Sequence, residues 1–276
     1  MKIVDAQIHA WLPNTPERPW VPNARPPQGP QFLVEDIIGT LDRAGVHRCV
    51  IVPVSWMGFD NQYALDGARA HPDRLAVMGR FDVEAPDARE RLAAWRRQPG
   101  MLGVRILFWG EPWMSLLTEP RHAWFWADME RLRMPLMCLV PGNMRALHPI
   151  IERHPGLRLI VDHAGRQPQG PKDAAAWADL EDTLHLARYP NTSIKVSSLP
   201  CWSSAPYPFP SLHEPIRRIY DRFGPQRMLW GSDVTRLDWG YADNLRLFTE
   251  GLDFLSAEDR EWILGRSAAL HCDWPL

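Results

Sequence analysis

Three short stretches of this chain place chemistry-bearing side chains at the ends of apolar runs. The first sets Asp5, Gln7 and His9 on alternate positions among Ile3, Val4 and Ile8. The second is Asp162-His163 after Leu157 to Val161, and the third is Asp233 after Met228 to Ser232. A strand points alternate residues to one face, so Asp5, Gln7 and His9 are expected to share one. Polar groups buried without partners cost roughly 1–3 kcal/mol each, and the partners of that face are expected in the two later stretches. Two imidazoles and a carboxylate meeting in this way can activate water against a carbonyl. The carboxylate takes the proton while the imidazoles polarise the carbonyl oxygen and hydrogen-bond it as negative charge develops. The same three groups, His9, His163 and Asp233, can also supply the ligands of a divalent metal ion.

Groups so far apart in the chain need a scaffold that gathers strand ends. Helical spacing of Val34, Ile37, Ile38 and Leu41, stopped by Gly45, predicts a helix over Val34 to Ala44. Cys49 to Val54 is a continuous apolar run, as expected for a strand covered on both faces. This alternation continues to the strand Arg227 to Gly231 and the helix Tyr241 to Leu252, making eight strand-helix units. Such alternation predicts an α/β fold with parallel strands and right-handed crossovers. Eight units predict one domain, a distorted (β/α)8 TIM barrel over residues 1–276, with an open doubly wound sheet as the other arrangement that periodicity allows. No G-x-G-x-x-G follows the first strand. In such a barrel chemistry sits at the C-terminal strand ends, where His9, His163 and Asp233 all fall.

Composition narrows the partners. The 276 residues carry a formal net charge of −2 with scattered arginines, which supplies no basic field for nucleic acid. No apolar run approaches the ≈ 20 residues of a membrane helix, and no basic-then-apolar leader precedes Asp5. Cys49, Cys138, Cys201 and Cys272 are far apart with no C-x-x-C pair, which points to a reducing cytoplasm. Prolines, 27 in all, crowd into two stretches, giving expected loops at about 13–31 and 199–211 that are either lids or plain surface excursions.

Val4-Asp5-Ala6-Gln7-Ile8-His9, Val161 to Arg166, Ser193 to Ser197, Trp230-Gly231-Ser232-Asp233 and the closing Ile263 to Leu270 together resemble the amidohydrolase superfamily. Within it they are most similar to the amidohydrolase-related branch that holds 2-pyrone-4,6-dicarboxylate lactonase and sugar lactonases. The resemblance implies a distorted eightfold barrel that hydrolyses a lactone or amide, or in one sub-branch decarboxylates an aromatic or muconate-type acid through a divalent metal. It maps the family's first-strand His-x-His to Gln7 and His9, its sixth-strand His to His163 and its eighth-strand Asp to Asp233. Two departures follow: Gln7 replaces the first metal His, and Leu136 to Leu139 lacks the fifth-strand His. A neutral amide is a poor zinc ligand. The resemblance also implies that the pyrone lactonase branch works without metal, so a metal-free site is preferred to one Zn or Mn ion on His9, His163 and Asp233. Cys138 is either a replacement ligand or simply a small apolar residue.

The expected activity is therefore hydrolysis of a lactone-type cyclic ester by water that Asp233 activates, with a protonated His163 keeping Asp233 ionised. A metal-dependent decarboxylase is the alternative, and a catalytically silent barrel a third reading. Arg105, Lys195, Arg166 and Arg236 are candidates to pair with a substrate carboxylate, each against a structural ion pair, and Gln7 completes the substrate-binding set. Asp5 and Asp162 are expected on outward or lower faces or behind a His. Trp11, Trp56, Trp109, Trp113, Trp202 and Trp239 follow strands, and aromatic walls at the mouth suit a flat, aromatic or pyrone-like small molecule. Packing of the loops is the competing role, preferred for Trp113 and Trp20. The remaining histidines, His122 among them, are expected on the surface. Trp124 and Trp126 on an exposed helix suggest a homodimer.

Overall fold

The computed structural model describes the whole chain apart from residues 25, 27, 112, 168–169 and 237–239. Its strands are β1 (Val4–Ile8), β2 (Arg48–Ile51), β3 (Leu75–Arg80), β4 (Met101–Leu107), β5 (Pro135–Leu139), β6 (Arg158–Val161), β7 (Thr192–Ser197) and β8 (Met228–Gly231). They pair in sequence order and all in parallel, so the eight-unit barrel is what forms. The helices are α1 (Val34–Ala44), α2 (Gln62–Ala70), α3 (Ala88–Ala94), α4 (Ser115–Thr118), α5 (Ala123–Arg131), α6 (His148–Arg153), α7 (Leu180–Leu184), α8 (Pro210–Phe223), α9 (Tyr241–Arg246), α10 (Ala257–Glu261) and α11 (Ser267–His271). None is long and apolar enough to cross a membrane among the described residues.

The continuous apolar strands divide their side chains between two cores. Cys49 and Ile51 of β2 face the helices, packed with Ile37 and Leu41 of α1. Val50 and Val52 face the barrel interior with Ala6, Met78, Met137, Ile160 and Leu229. β7 is the exception, because Ile194 and Val196 join the outer core and leave Lys195 and Ser197 buried inside. The interior is closed from below by the chain's last segment. Ala268 and Cys272 join the lower core, and a Cβ on Gly265 would lie 2.1 Å from the Lys2 carbonyl oxygen.

The barrel's seam is irregular. β1 steps three residues, Asp5 to Ile8, against the two from Cys49 to Ile51 of β2. One extra residue is the signature of a β-bulge, and it reverses the alternation of the strand. Asp5 therefore faces outward, toward Tyr241 of α9, whereas Gln7 and His9 face inward; the shared face expected from simple alternation does not exist. Across the seam Gln7 O accepts Asp233 N–H at 2.8 Å, and the Asp5 carboxylate accepts Ser232 N–H at 2.8 Å. Gly231 permits this approach, since a Cβ there would stand 3.0 Å from Gln7 N.

Several elements depart from their expected form. The helix expected over Met144 to Arg153 starts as a 3-10 turn and becomes α6 only at His148, because Pro149 has no N–H to give and suits a first turn. The segment from Asp173 to Arg188 is a succession of short turns around α7. In the second Pro-rich stretch Leu199–Trp202 is a 3-10 turn and α8 already starts at Pro210, with Pro215 inside it. The first stretch leaves and returns through a clasp between Trp11 and Phe32, then lies over the mouth through Val21 N–H to Trp56 O and Gln28 to Val234 O. Trp126 of α5 is buried on Phe108, so this helix does not display the pair of exposed tryptophans on which a dimer was expected. His122 is likewise buried, beside Ser115 and Glu84.

Asp5 is the seam's polar hub: Oδ1 accepts from Gln7 N–H and Ser232 N–H, and Oδ2 from Tyr241 O–H. Asp5→Ala leaves those donors without partners and should lower unfolding free energy by about 1–3 kcal/mol for each buried one. Asp5→Asn keeps the oxygen for both N–H groups and should cost much less. Burial raises the Asp5 carboxyl to about 6 despite those donors. A raised folded-state value gives stability that is present at low pH and lost as pH rises through it. Urea unfolding should therefore show the wild type losing stability relative to Asp5→Asn between about pH 4 and pH 6; parallel curves there would contradict this.

Candidate active site

At the top of the barrel His9, His163 and Asp233 converge from β1, β6 and β8. His9 Nε2 lies 3.1 Å from Asp233 Oδ1, and His163 Nε2 lies 3.9 Å from Asp233 Oδ2. All three are buried. His163 (φ 51°), Asp233 (φ 49°) and Ser198 (φ 59°) are all in the left-handed region just after their strands, which turns each side chain back over the barrel axis.

Neighbouring groups set the protons. His9 Nδ1 is 2.6 Å from the Val52 carbonyl oxygen, which only accepts, so Nδ1 carries a hydrogen. Its Nε2 meets both Asp233 and the side-chain amide of Gln7, the latter at 3.3 Å. Lys195 donates to Gln7 Oε1 and thereby aims the Gln7 NH2 at His9. With a proton on Nε2, His9 serves Asp233; without it, Nε2 accepts from Gln7. Burial would raise the Asp233 carboxyl, but His9, His163 and Arg236 outweigh it and hold it well below the usual carboxylate range. Ser198 also donates to Asp233. His163 bonds Ser197 through Nδ1 at 2.9 Å, and burial, partly opposed by Asp233 and Asp162, takes it down to about 4. His163 is therefore neutral at pH 7, not the imidazolium expected from the sequence.

The basic residues separate by environment. Asp162 lies inside the barrel, not on an outward or lower face, and binds Lys195 Nζ at 2.7 Å and Arg105 Nε at 3.0 Å. Burial opposes its ionisation, yet Lys195, Arg105 and His163 bring it to about 2. Lys195 is fully buried beneath the cavity rather than at the mouth. Arg166 does not face the cavity either: it is buried on Ala164 O, Ala176 O, Thr183 and Asp179, bracing the loop after β6. Arg236 is more exposed, with Nε 3.7 Å from Asp233 Oδ2.

His9, His163, Arg105, Arg236, Trp56 and Trp109 line a cavity of about 110 Å³. Trp109 is 54% exposed at its rim. Trp11 is fully buried against Phe32 and Trp56 and supports the loop clasp, while Trp202 packs near the His163 ring. Trp239 lies outside the described residues. A second cavity of about 210 Å³ adjoins the first and is lined by Arg80, Arg105, Phe59 and Trp113. Trp113 is thus a cavity wall as well as a packing partner of Phe59. Arg80, the last residue of β3, is missed by the sequence reading; its only signal is a lone cation closing an apolar strand.

As ligands for a metal these residues fit poorly. Among the described residues no group of three or more His, Cys, Asp and Glu side chains is disposed to hold an ion. The group flanking His9 is the Gln7 carboxamide, itself held by an ammonium. Cys138 packs in the outer core, behind the barrel wall.

Comparison with known proteins agrees with this architecture. The family model described as Amidohydrolase matches residues 4–269. An L-fucono-1,5-lactonase of Burkholderia ambifaria is 29% identical over 87% of this chain and 83% of that protein. Among solved structures, an amidohydrolase of Burkholderia multivorans with bound zinc superposes with a TM-score of 0.82 at 21% identity, covering all of both chains. An Acinetobacter baumannii protein described as a probable 2-pyrone-4,6-dicarboxylic acid hydrolase gives 0.81 at 20%, over 99% of this chain and 100% of that one.

Asp162 neutralises two buried cations at once. Asp162→Asn should cost about 3–5 kcal/mol, the range for stripping one partner from a buried ion pair. A urea midpoint close to that of the wild type would show that the pair contributes nothing.

Proposed function

The chain belongs to the amidohydrolase family, and from that premise we propose that it hydrolyses the ester of a lactone ring, with Asp233 and His9 acting together as the base toward water. The observation that carries this reading is the 3.1 Å contact of Asp233 with His9 Nε2, the His9 ring lining with His163 a cavity walled by Trp56 and Trp109. With Nε2 unprotonated, His9 accepts Gln7 N–H there, and the proton that the Asp233 carboxylate takes from water is passed to that nitrogen. The water oxygen then adds to the lactone carbonyl.

His163 serves the developing oxyanion. With Ser197 donating to Nδ1, the neutral ring carries its hydrogen on Nε2, directed into the cavity. A neutral imidazole is a suitable donor here, since its proton is shared with the oxyanion and not lost to bulk water. Collapse of the tetrahedral adduct breaks the ring C–O bond, and the proton held by the Asp233–His9 pair passes to the leaving alkoxide, giving the open hydroxy acid. Trp56 and Trp109 offer flat faces to the ring, and Arg236 sits beside Asp233 at the rim. Four free cysteines, three of them buried, support a reducing cytoplasm as the compartment.

A pH-stat panel of sugar lactones and pyrone-type lactones tests the activity. Asp233→Asn should abolish turnover with the fold retained by circular dichroism, and an active mutant would sink the assignment. His163→Ala should lower turnover by about 10²–10³, the usual loss of one oxyanion donor. Because His163 is neutral above about pH 5, its removal should leave the acid limb of the rate profile in place. The hydrolysis rate should survive dialysis against EDTA. Loss on chelation, restored by zinc or manganese, would instead favour the metal-dependent decarboxylase class, for which carbon dioxide release is the direct assay.

A further inference from the structure

Arg80 is a partly buried cation without an acid. Its backbone is tied to the Asn61 side chain, Nε donates to Gly58 O at 2.7 Å, and the guanidinium stands 5.6 Å from the Phe59 ring centre. No carboxylate lies within ion-pair distance of it among the described residues, and none lines the cavity that it faces. The other cation on that cavity is Arg105, which offers Asp162 only its Nε. Burial, with Arg105 nearby, pushes Arg80 down to about 10.

Charge around the two cavities does not balance. Arg80, Arg105 and Arg236 line them and no described carboxylate does; behind the walls Asp162 meets Arg105 and Lys195, Asp233 meets Arg236, and Arg80 has neither. Holding like charges together out of water is unfavourable, and an incoming anion relieves it. Guanidinium forks match a carboxylate in geometry as well as in sign. Ser55, Arg105, Leu107 and Trp109 line both cavities, so one ligand can extend from Arg80 to His9 and His163.

We propose that Arg80, with Arg105 beside it, forms a carboxylate-binding subsite, so that the substrate is an acidic lactone whose carboxylate rests there while its ring carbonyl meets His163. This rests on the hydrolase reading for the carbonyl end only. Phe59, Trp109 and Trp113 give the subsite apolar walls, so the two guanidinium groups are its charged handles and a neutral substituent offers them no counter-charge.

The test uses unreactive ring compounds, so it does not depend on turnover. Isothermal titration of the full-length protein compares tetrahydropyran-2-carboxylate with tetrahydropyran-2-methanol. The acid should bind at least about tenfold more tightly, as expected for a charge-assisted hydrogen bond, and only the acid should weaken as salt rises. Arg80→Gln should erase that preference, and Arg80→Lys should keep part of it, with melting curves reporting whether each variant is folded. Equal affinity of acid and alcohol for the wild type would overturn the subsite, as would an undiminished preference in folded Arg80→Gln. An Arg80-dependent acid preference with no lactone turned over would retire the hydrolase reading and leave the subsite. Lactone turnover with no such preference would do the reverse.

Discussion

The closure of this barrel depends on one buried carboxylate. Asp5 stands outside the wall and reaches over the seam to the backbone of β8, where a regular ladder would have placed a main-chain carbonyl. The same side chain holds the N–H of Gln7 and the hydroxyl of Tyr241, so it anchors the bulge of β1, the end of β8 and α9 together. Without the extra residue in β1, the alternation would carry Gln7 and His9 to the helix side. The irregularity that weakens the sheet locally is what delivers the Gln7 and His9 side chains to the interior.

Beneath the cavity the interior polar groups form one continuous chain. Arg105 and Lys195 hold Asp162, Lys195 holds Gln7, Gln7 reaches His9, and His9 meets Asp233, which Ser198 and Arg236 also contact. A buried charge is costly unless it is paired, and here both carboxylates meet cations. The chain also carries orientation: an ammonium that never touches the cavity decides which end of the Gln7 amide faces His9. The apolar lower interior, with Met78, Met137, Ile160 and Leu229, gives this network a dry, close-packed base.

Much of the fold was legible because strands covered on both faces write themselves as unbroken apolar runs, as Cys49 to Ile51 does, and because Gly45 marks a helix end that needs a left-handed residue. The convergence of His9, His163 and Asp233 was legible for a related reason: each follows an apolar run whose end a parallel barrel must gather at one rim. The bulge was hidden, since an inserted residue leaves no trace in composition and period-two counting assigned Asp5 to the wrong side. Environment was equally hidden. Arg166 and Arg105 look alike as strand-end cations, but one spends its donors on carbonyls and Asp179 while the other reaches a cavity, a distinction that only tertiary contacts make. Arg80 escaped notice because its importance comes from a missing counter-charge, which no single residue can display.

The left-handed backbone at His163, Ser198 and Asp233 carries a thermodynamic consequence of its own. Side chains other than glycine pay about 1–2 kcal/mol to sit in that region. Glycine at these three places would relax the main chain while deleting the side chains that gather at the site, so relief of backbone strain and retention of the site pull in opposite directions. Engineering aimed at thermal resistance alone would drift toward the former, and should leave these three turns untouched.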